Sequence, residues 1–184
     1  MPIESPEPFE TREKLPQQSV IVLDGSKGAG KTTVGEILIQ HLKDVVFLSL
    51  DNERRALANQ DRSRAERNKE AFDNVLARGA QHLVNGTSLI IDCGLTEERI
   101  SRIESLAAEK GSRVYKILLK ASYETQLNRV RGRDSAKGNG TDEARFAEVH
   151  NIVHAKSFDG FITIDTDKQT PTEIADKIVV LITQ

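Results

Sequence analysis

The chain has 184 residues, enough for one domain with a real core and too few for two full ones. Its 38% hydrophobic and 29% charged residues are usual for a soluble globular protein, and no apolar run approaches the roughly 18 to 20 residues that cross a bilayer, which excludes a membrane-spanning role. Lys and Arg number 26 against 28 Asp and Glu, a formal net charge of -2, so no global positive field exists to draw in a polyanion; one would have to be met by a local patch.

In chain order, residues 1–17 hold four of the five prolines, Pro2, Pro6, Pro8 and Pro16, among acidic and polar neighbours. Such a segment cannot bury enough apolar surface to order itself, so a tail is expected there, followed by a single domain over 18–184. It lacks the apolar stretch of a secretory signal, and the single cysteine, Cys93, cannot form an intrachain disulfide; a reducing cytoplasm is the expected compartment. From Ser19 onward short β-branched runs alternate with segments of helical period. SVIVLD precedes a helix carrying Val34, Ile37, Leu38 and Leu42, and VVFLSL precedes one carrying Phe72, Val75, Leu76 and Leu83. SLIID follows, then a helix with Ile100, Ile103 and Leu106 that stops at Gly111, the strand RVYKILL, and a helix opening at Ser122. A Gly-rich, weakly patterned stretch at 131–143 is expected to be a mobile loop. The strand FITID and a final helix close the chain, the helix announced by Thr170, Pro171 and Glu173 as N-cap, first-turn proline and third-position acid. Strands that are apolar almost throughout and separated by helices need crossover connections. The expected fold class is therefore α/β, three layers, a parallel sheet of about five strands with helices on both faces.

Gly25, Ser26, Lys27, Gly28, Ala29, Gly30, Lys31 and Thr32 fit G-x-x-x-x-G-K-[ST], and Thr33 follows. The segment lies directly after one predicted strand and directly before a helix, the context that a phosphate-binding loop requires. Glycines let backbone N–H groups turn inward around a phosphate chain at a helix N-terminus, where unpaired donors and the helix dipole favour anions. Lys31 is expected to reach the β- and γ-phosphates of ATP, and the Thr32 hydroxyl to ligate Mg²⁺. No N-K-x-D segment for reading guanine is present.

Two further predicted strands run into aspartates, VVFLSL into Asp51 and SLIID into Asp92. Ligands of open parallel sheets bind beyond the carboxyl ends of the strands, so one carboxylate can orient or deprotonate an attacking hydroxyl while the other holds Mg²⁺. The competing reading is that each caps the helix or turn that follows it. After Asp51 come Arg54, Arg55, Arg62, Arg64 and Arg67, which suit an anionic acceptor, but Glu53, Asp61, Glu66 and Glu70 are interleaved, as on a solvated helix face. Arg131 and Arg133, placed after a helix and before the Gly-rich loop, can swing in to neutralise charge on a transferring phosphoryl group, or can form a solvated basic turn. His41 and His82 read as helix-surface or core-edge residues; His150 and His154 are four apart and can share a helix face. Cys93 is either a buried small hydrophobe, the more frequent outcome, or an oxidisable thiol.

The phosphate-binding loop, Asp51-Asn-Glu-Arg54, the segment from Asp92 to Arg99 and RVRGRD at 129–134 resemble, in order and spacing, the kinase domain of phage polynucleotide kinase and its AAA_33-type relatives, within the P-loop NTPase fold. The end of the chain, FDGFITIDTDKQTPTEIADKIV, is similar to the last strand and helix of small metabolite kinases such as adenylylsulfate and gluconate kinases. The resemblance implies that Asp51 orients the acceptor hydroxyl, that Arg54 contacts the acceptor, and that Arg131 or Arg133 reaches ATP from a lid. Where the phage enzyme has Thr-Asn after its third-strand aspartate, this chain has Cys93 and Gly94. Three functions are compatible with these residues: an ATP- and Mg²⁺-dependent kinase acting on a small anionic metabolite, a polynucleotide 5′-hydroxyl kinase, and a nucleotide-binding regulatory module with slow ATP hydrolysis.

Overall fold

In a computed structural model of the protein, residues 12–58, 63–94, 96–155 and 160–184 are described. Five parallel strands, β1 (Ser19–Asp24), β2 (Val45–Ser49), β3 (Ser88–Asp92), β4 (Arg113–Lys120) and β5 (Phe161–Asp165), form one sheet in the order β2-β3-β1-β4-β5. The helices are α1 (Lys31–His41), α2 (Leu50–Ala56), α3 (Arg64–Val84), α4 (Glu97–Glu109), α5 (Tyr123–Ala136), α6 (Glu143–Ala155) and α7 (Pro171–Thr183). The period of two in the strands decides which layer each side chain joins. Ile21, Leu23, Ile90, Ile117 and Leu119 pack with Leu38 of α1 and Ile174, Ile178 and Ile182 of α7. The alternate positions Val20, Val22, Leu89 and Ile91 pack on the other face with Phe72 and Val75 of α3 and Ile103 and Ala107 of α4. The α/β fold with helices on both faces is the one that the alternation of elements requires. None of the described helices is long and apolar enough to cross a membrane.

Because β1 has β3 on one side and β4 on the other, the strand order reverses at β1, and the loop leaving β1 opens into the crevice where open parallel sheets bind ligands.

The predicted caps are present: Ser122 opens α5, the Thr170 and Glu173 capping box opens α7, and Gly111, at φ 65°, follows the end of α4. Three boundaries differ. The tail expected through residue 17 is shorter, since the Glu13 backbone exchanges bonds with His41 and Lys43 at 2.8 Å each and Leu15 is buried in the core; residues 1–11 lie outside the described part. Strand β2 ends at Ser49, because its ladder with β3 closes at the Ser49 and Asp92 pair, and Leu50 and Asp51 open α2 instead. The expected loop at 131–143 is helical through Ala136, so Arg131, Gly132 and Arg133 lie within α5 and only 137–142 connect it to α6. Helix α6 closes over α5 through a small separate cluster of Leu127, Val130 and Phe146.

Candidate active site

The loop 25–30 runs from β1 into α1 under steric conditions that only glycine meets at two positions. At Gly25, φ 149°, a Cβ would stand 2.5 Å from the Leu119 carbonyl oxygen. At Gly28, φ 86°, it would stand 2.7 Å from that of Gln126. Ala29 and Ser26 are buried beneath the turn, and the Ala29 N–H donates to the Ser26 carbonyl at 3.1 Å. The Lys31 ammonium folds back on the loop, donating to the Gly25 carbonyl at 2.9 Å. Lys27, Gly28, Gly30, Lys31, Thr32 and Thr33 line one wall of a cleft of about 520 Å³.

Asp51 and Asp92 line the same cleft, so the two carboxylates singled out in the sequence meet at the loop. They differ in setting. Asp92 is 6% exposed and accepts from the Thr32 hydroxyl at 3.0 Å. Burial raises its pKa above the ordinary carboxyl value; Lys31 and the Thr32 bond oppose that, while Asp51 and Asp24 add to it. Asp51 sits on the first turn of α2, its side chain 65% exposed, and accepts from Arg54 Nη1 at 2.7 Å. The Thr32 hydroxyl and the Asp92 carboxylate, 3.0 Å apart beside the loop, are hard oxygen donors of the kind that suits Mg²⁺ with a phosphate chain.

The raised pKa of Asp92 has a measurable sign. A carboxyl whose folded pKa lies above its unfolded value loses native stability as pH rises through that window, because the unfolded chain accommodates the charge more easily. Without metal at neutral pH, Asp92→Asn should therefore melt above the native protein while still accepting the Thr32 bond. The gain should vanish below pH ~4, where Asp92 itself is protonated. Equal melting points for the two proteins at neutral pH would contradict this.

Arg133 and Lys137 form the opposite wall together with Arg129. Arg131 does not join them. Two residues along a helix is a turn of about 200°, and its guanidinium pairs with Glu143 at 2.5 Å, away from the cleft. Arg129 was missed in the sequence, although it stands four residues before Arg133 and hence on the same helix face; it donates to the Gly28 carbonyl at 3.3 Å and the Thr166 carbonyl at 2.8 Å. Asp24, 3% exposed, was also passed over, although SVIVLD ends in aspartate as SLIID does.

Arg54 turns from the cleft into an adjoining groove of about 220 Å³ between α2 and α3, lined with Arg64, Arg67, Ala58 and Asn68. Its Nε is buried with no partner among the described residues. Arg99 lies near enough that, after burial, the Arg54 charge lowers its pKa. Arg55 faces the main cleft, and Arg62 lies outside the described residues. Cys93 is 1% exposed, and burial first, then Asp24, pushes its thiol up to about 12, which makes it an inert core residue.

The sequence matches the family described as an AAA domain, AAA_33, over residues 20–153. No curated protein matches it. Among solved structures it is similar to the APS kinase CysC of Mycobacterium tuberculosis in complex with AMPPNP and APS, at a TM-score of 0.66 and 16% identity, covering 92% of this chain and 99% of that one. A gluconokinase from Sinorhizobium meliloti is similar at 0.62 and 16%, covering 92% and 95%. The Pnkp1/Rnl/Hen1 RNA repair complex is similar at 0.65 and 16%, covering 75% of this chain and 44% of that one.

Proposed function

Since the chain belongs to the AAA_33 family, we propose that it is an ATP- and Mg²⁺-dependent kinase that transfers the γ-phosphate to a hydroxyl of a small anionic metabolite. The observation that carries this reading is the convergence on one cleft of the Lys31 loop, the Thr32 and Asp92 pair and Asp51, with the arginine groove opening beside Asp51. In the proposed reaction, Asp51 takes the proton of the acceptor hydroxyl as its oxygen bonds to the γ-phosphorus. The bond from that phosphorus to the β,γ-bridging oxygen breaks, and ADP leaves. Lys31 moves from the loop carbonyls to the β- and γ-oxygens, and Arg129 and Arg133 offset charge from the opposite wall. Thr32 and Asp92 would hold Mg²⁺, which when bound neutralises charge on the phosphate oxygens.

The acceptor side rests on Arg54. Loss of a charged contact made to the acceptor alone costs roughly 10- to 100-fold in kcat/KM, so Arg54→Ala should raise the acceptor KM or lower kcat/KM by about that much and leave the ATP Kd nearly unchanged. An ATP-turnover screen against pooled anionic metabolites and 5′-hydroxyl oligonucleotides, with and without Mg²⁺, tests the reading. Absence of Mg²⁺-dependent turnover with every pool would leave a nucleotide-binding module with slow hydrolysis.

The run of Arg54, Arg64 and Arg67 past the cleft, with the likeness to an RNA repair complex, supports a second reading, a polynucleotide 5′-hydroxyl kinase. Salt distinguishes the two. A single strand touching several phosphates loses about 0.7 in log K per phosphate for each tenfold rise in salt, whereas a metabolite in a pocket should show a much shallower slope. No oligonucleotide phosphorylation at low salt eliminates the second reading.

A further inference from the structure

Helix α5 lies directly along the phosphate-binding loop. Val130 Cγ2 stands 3.1 Å from the place a Gly28 Cβ would occupy, Arg129 donates to the Gly28 carbonyl, and Lys27 reaches Asp134 at 3.4 Å. At the centre of this face is Gln126, a fully buried polar side chain. Its Nε2 donates to the Ala121 carbonyl at 3.1 Å, which fixes the amide orientation. Its Oε1 accepts from the Ser26 hydroxyl and lies 3.0 Å from His150 Nδ1 on α6. An amide oxygen can only accept, so Nδ1 must be the protonated nitrogen of His150.

The imidazole is itself held on two sides. His154 stacks on it with ring centroids 4.0 Å apart, and Tyr123 meets it edge-on at 5.1 Å. Ser26 is the other end of the chain of bonds, and its carbonyl receives both the Ala29 N–H that closes the turn and, at 3.4 Å, the Lys31 ammonium. The bonds join positions 100 and 24 residues apart, so the connection is purely tertiary. A buried network of this kind constrains geometry strongly when every member is satisfied, and removing one member leaves the others without partners.

We propose that His150 and Gln126 are positioning residues for the phosphate-binding loop: from α6, the Nδ1–H of His150 and the Gln126 amide hold the Ser26 hydroxyl and fix the turn that presents the loop's N–H groups to phosphate. The inference rests on the nucleotide-binding half of the function proposed above and is independent of the acceptor. Neither residue lines the cleft, so both act through Ser26.

The test is the Kd of a fluorescent N-methylanthraniloyl-ATP with Mg²⁺, measured beside the melting temperature on the full chain. His150→Phe keeps a ring between His154 and Tyr123 but removes the donor; His150→Asn restores an N–H near the Nδ1 position. The Phe variant should bind about 5- to 10-fold more weakly, the scale of one hydrogen bond, and the Asn variant should return to within about 2-fold of the native protein. Ser26→Ala and Gln126→Leu should each weaken binding similarly, and the double variant should be no worse than either, because both cut one connection. If His150→Phe does not fold, Ser26→Ala, Gln126→Leu and their combination decide the matter. Native affinity in the Phe variant, an Asn variant no better than Phe, or additive losses in the double variant would overturn the proposal. Native protein that binds no nucleotide overturns this and the proposed function together; native binding with unaffected variants overturns this alone.

Discussion

Lys31→Ala is expected to reduce phosphoryl transfer by ~10²-fold or more while the protein folds normally, that being the scale for losing one preorganised electrostatic donor. The folding half of the expectation comes from its position: the ammonium bonds loop carbonyls at the mouth of the cleft, and water can replace it there. Those same carbonyl bonds must be given up when a phosphate chain arrives, so the lysine is held ready at little cost. Melting temperature and single-turnover transfer measured on the same preparation check both halves. Near-native turnover would remove the loop from the mechanism.

Asp51→Asn keeps shape and removes charge. If Asp51 is the base, kcat should fall by roughly 10²- to 10⁴-fold with ATP affinity nearly unchanged, toward the lower end if the transition state is loose. The setting of the two carboxylates sharpens this test. Asp92 is buried and bonded to Thr32, as a residue proposed to hold Mg²⁺ should be, whereas Asp51 is exposed and paired with Arg54. Paired titrations of ATP·Mg²⁺ and of acceptor separate the roles. Collapse of ATP affinity without loss of transfer per bound ATP would assign Asp51 to the metal instead.

What could be read in the sequence was whatever is encoded locally. The glycine spacing of 25–30 requires its own backbone geometry, and the capping residues Ser122, Thr170 and Glu173 need only their own first turn. The almost continuous apolar runs of SVIVLD and SLIID likewise carry the sheet, since both faces must be apolar. What could not be read depended on facing. Arg131 and Arg133 are two apart in a segment that glycines made look irregular, and only once α5 is known to continue to Ala136 do 129 and 133 fall on one side and 131 on the other. Gln126 carried no signal, and His150 only its spacing from His154, since a glutamine and a histidine in helices are ordinary until Ser26 is brought to Gln126 from the far end of the chain. Asp51 lines the cleft from the start of helix α2 rather than from the end of the strand that the sequence suggested.

The clasp of α5 on the loop also limits how the cleft can close. A lid hinged at the base of α5 would tear Arg129 from Thr166 and drag Gln126 across Gly28, so the helix behaves as a fixed post rather than a swinging arm. The freedom that remains lies in 137–142, six residues with a span of at most about 20 Å, containing Gly138 at φ 71° and Gly140. That tether carries Lys137 but neither arginine of the wall. Exchange of nucleotide then has a doorway of short reach, and lengthening or shortening this tether should change how fast nucleotide enters and leaves while the phosphate grip of the fixed wall stays the same.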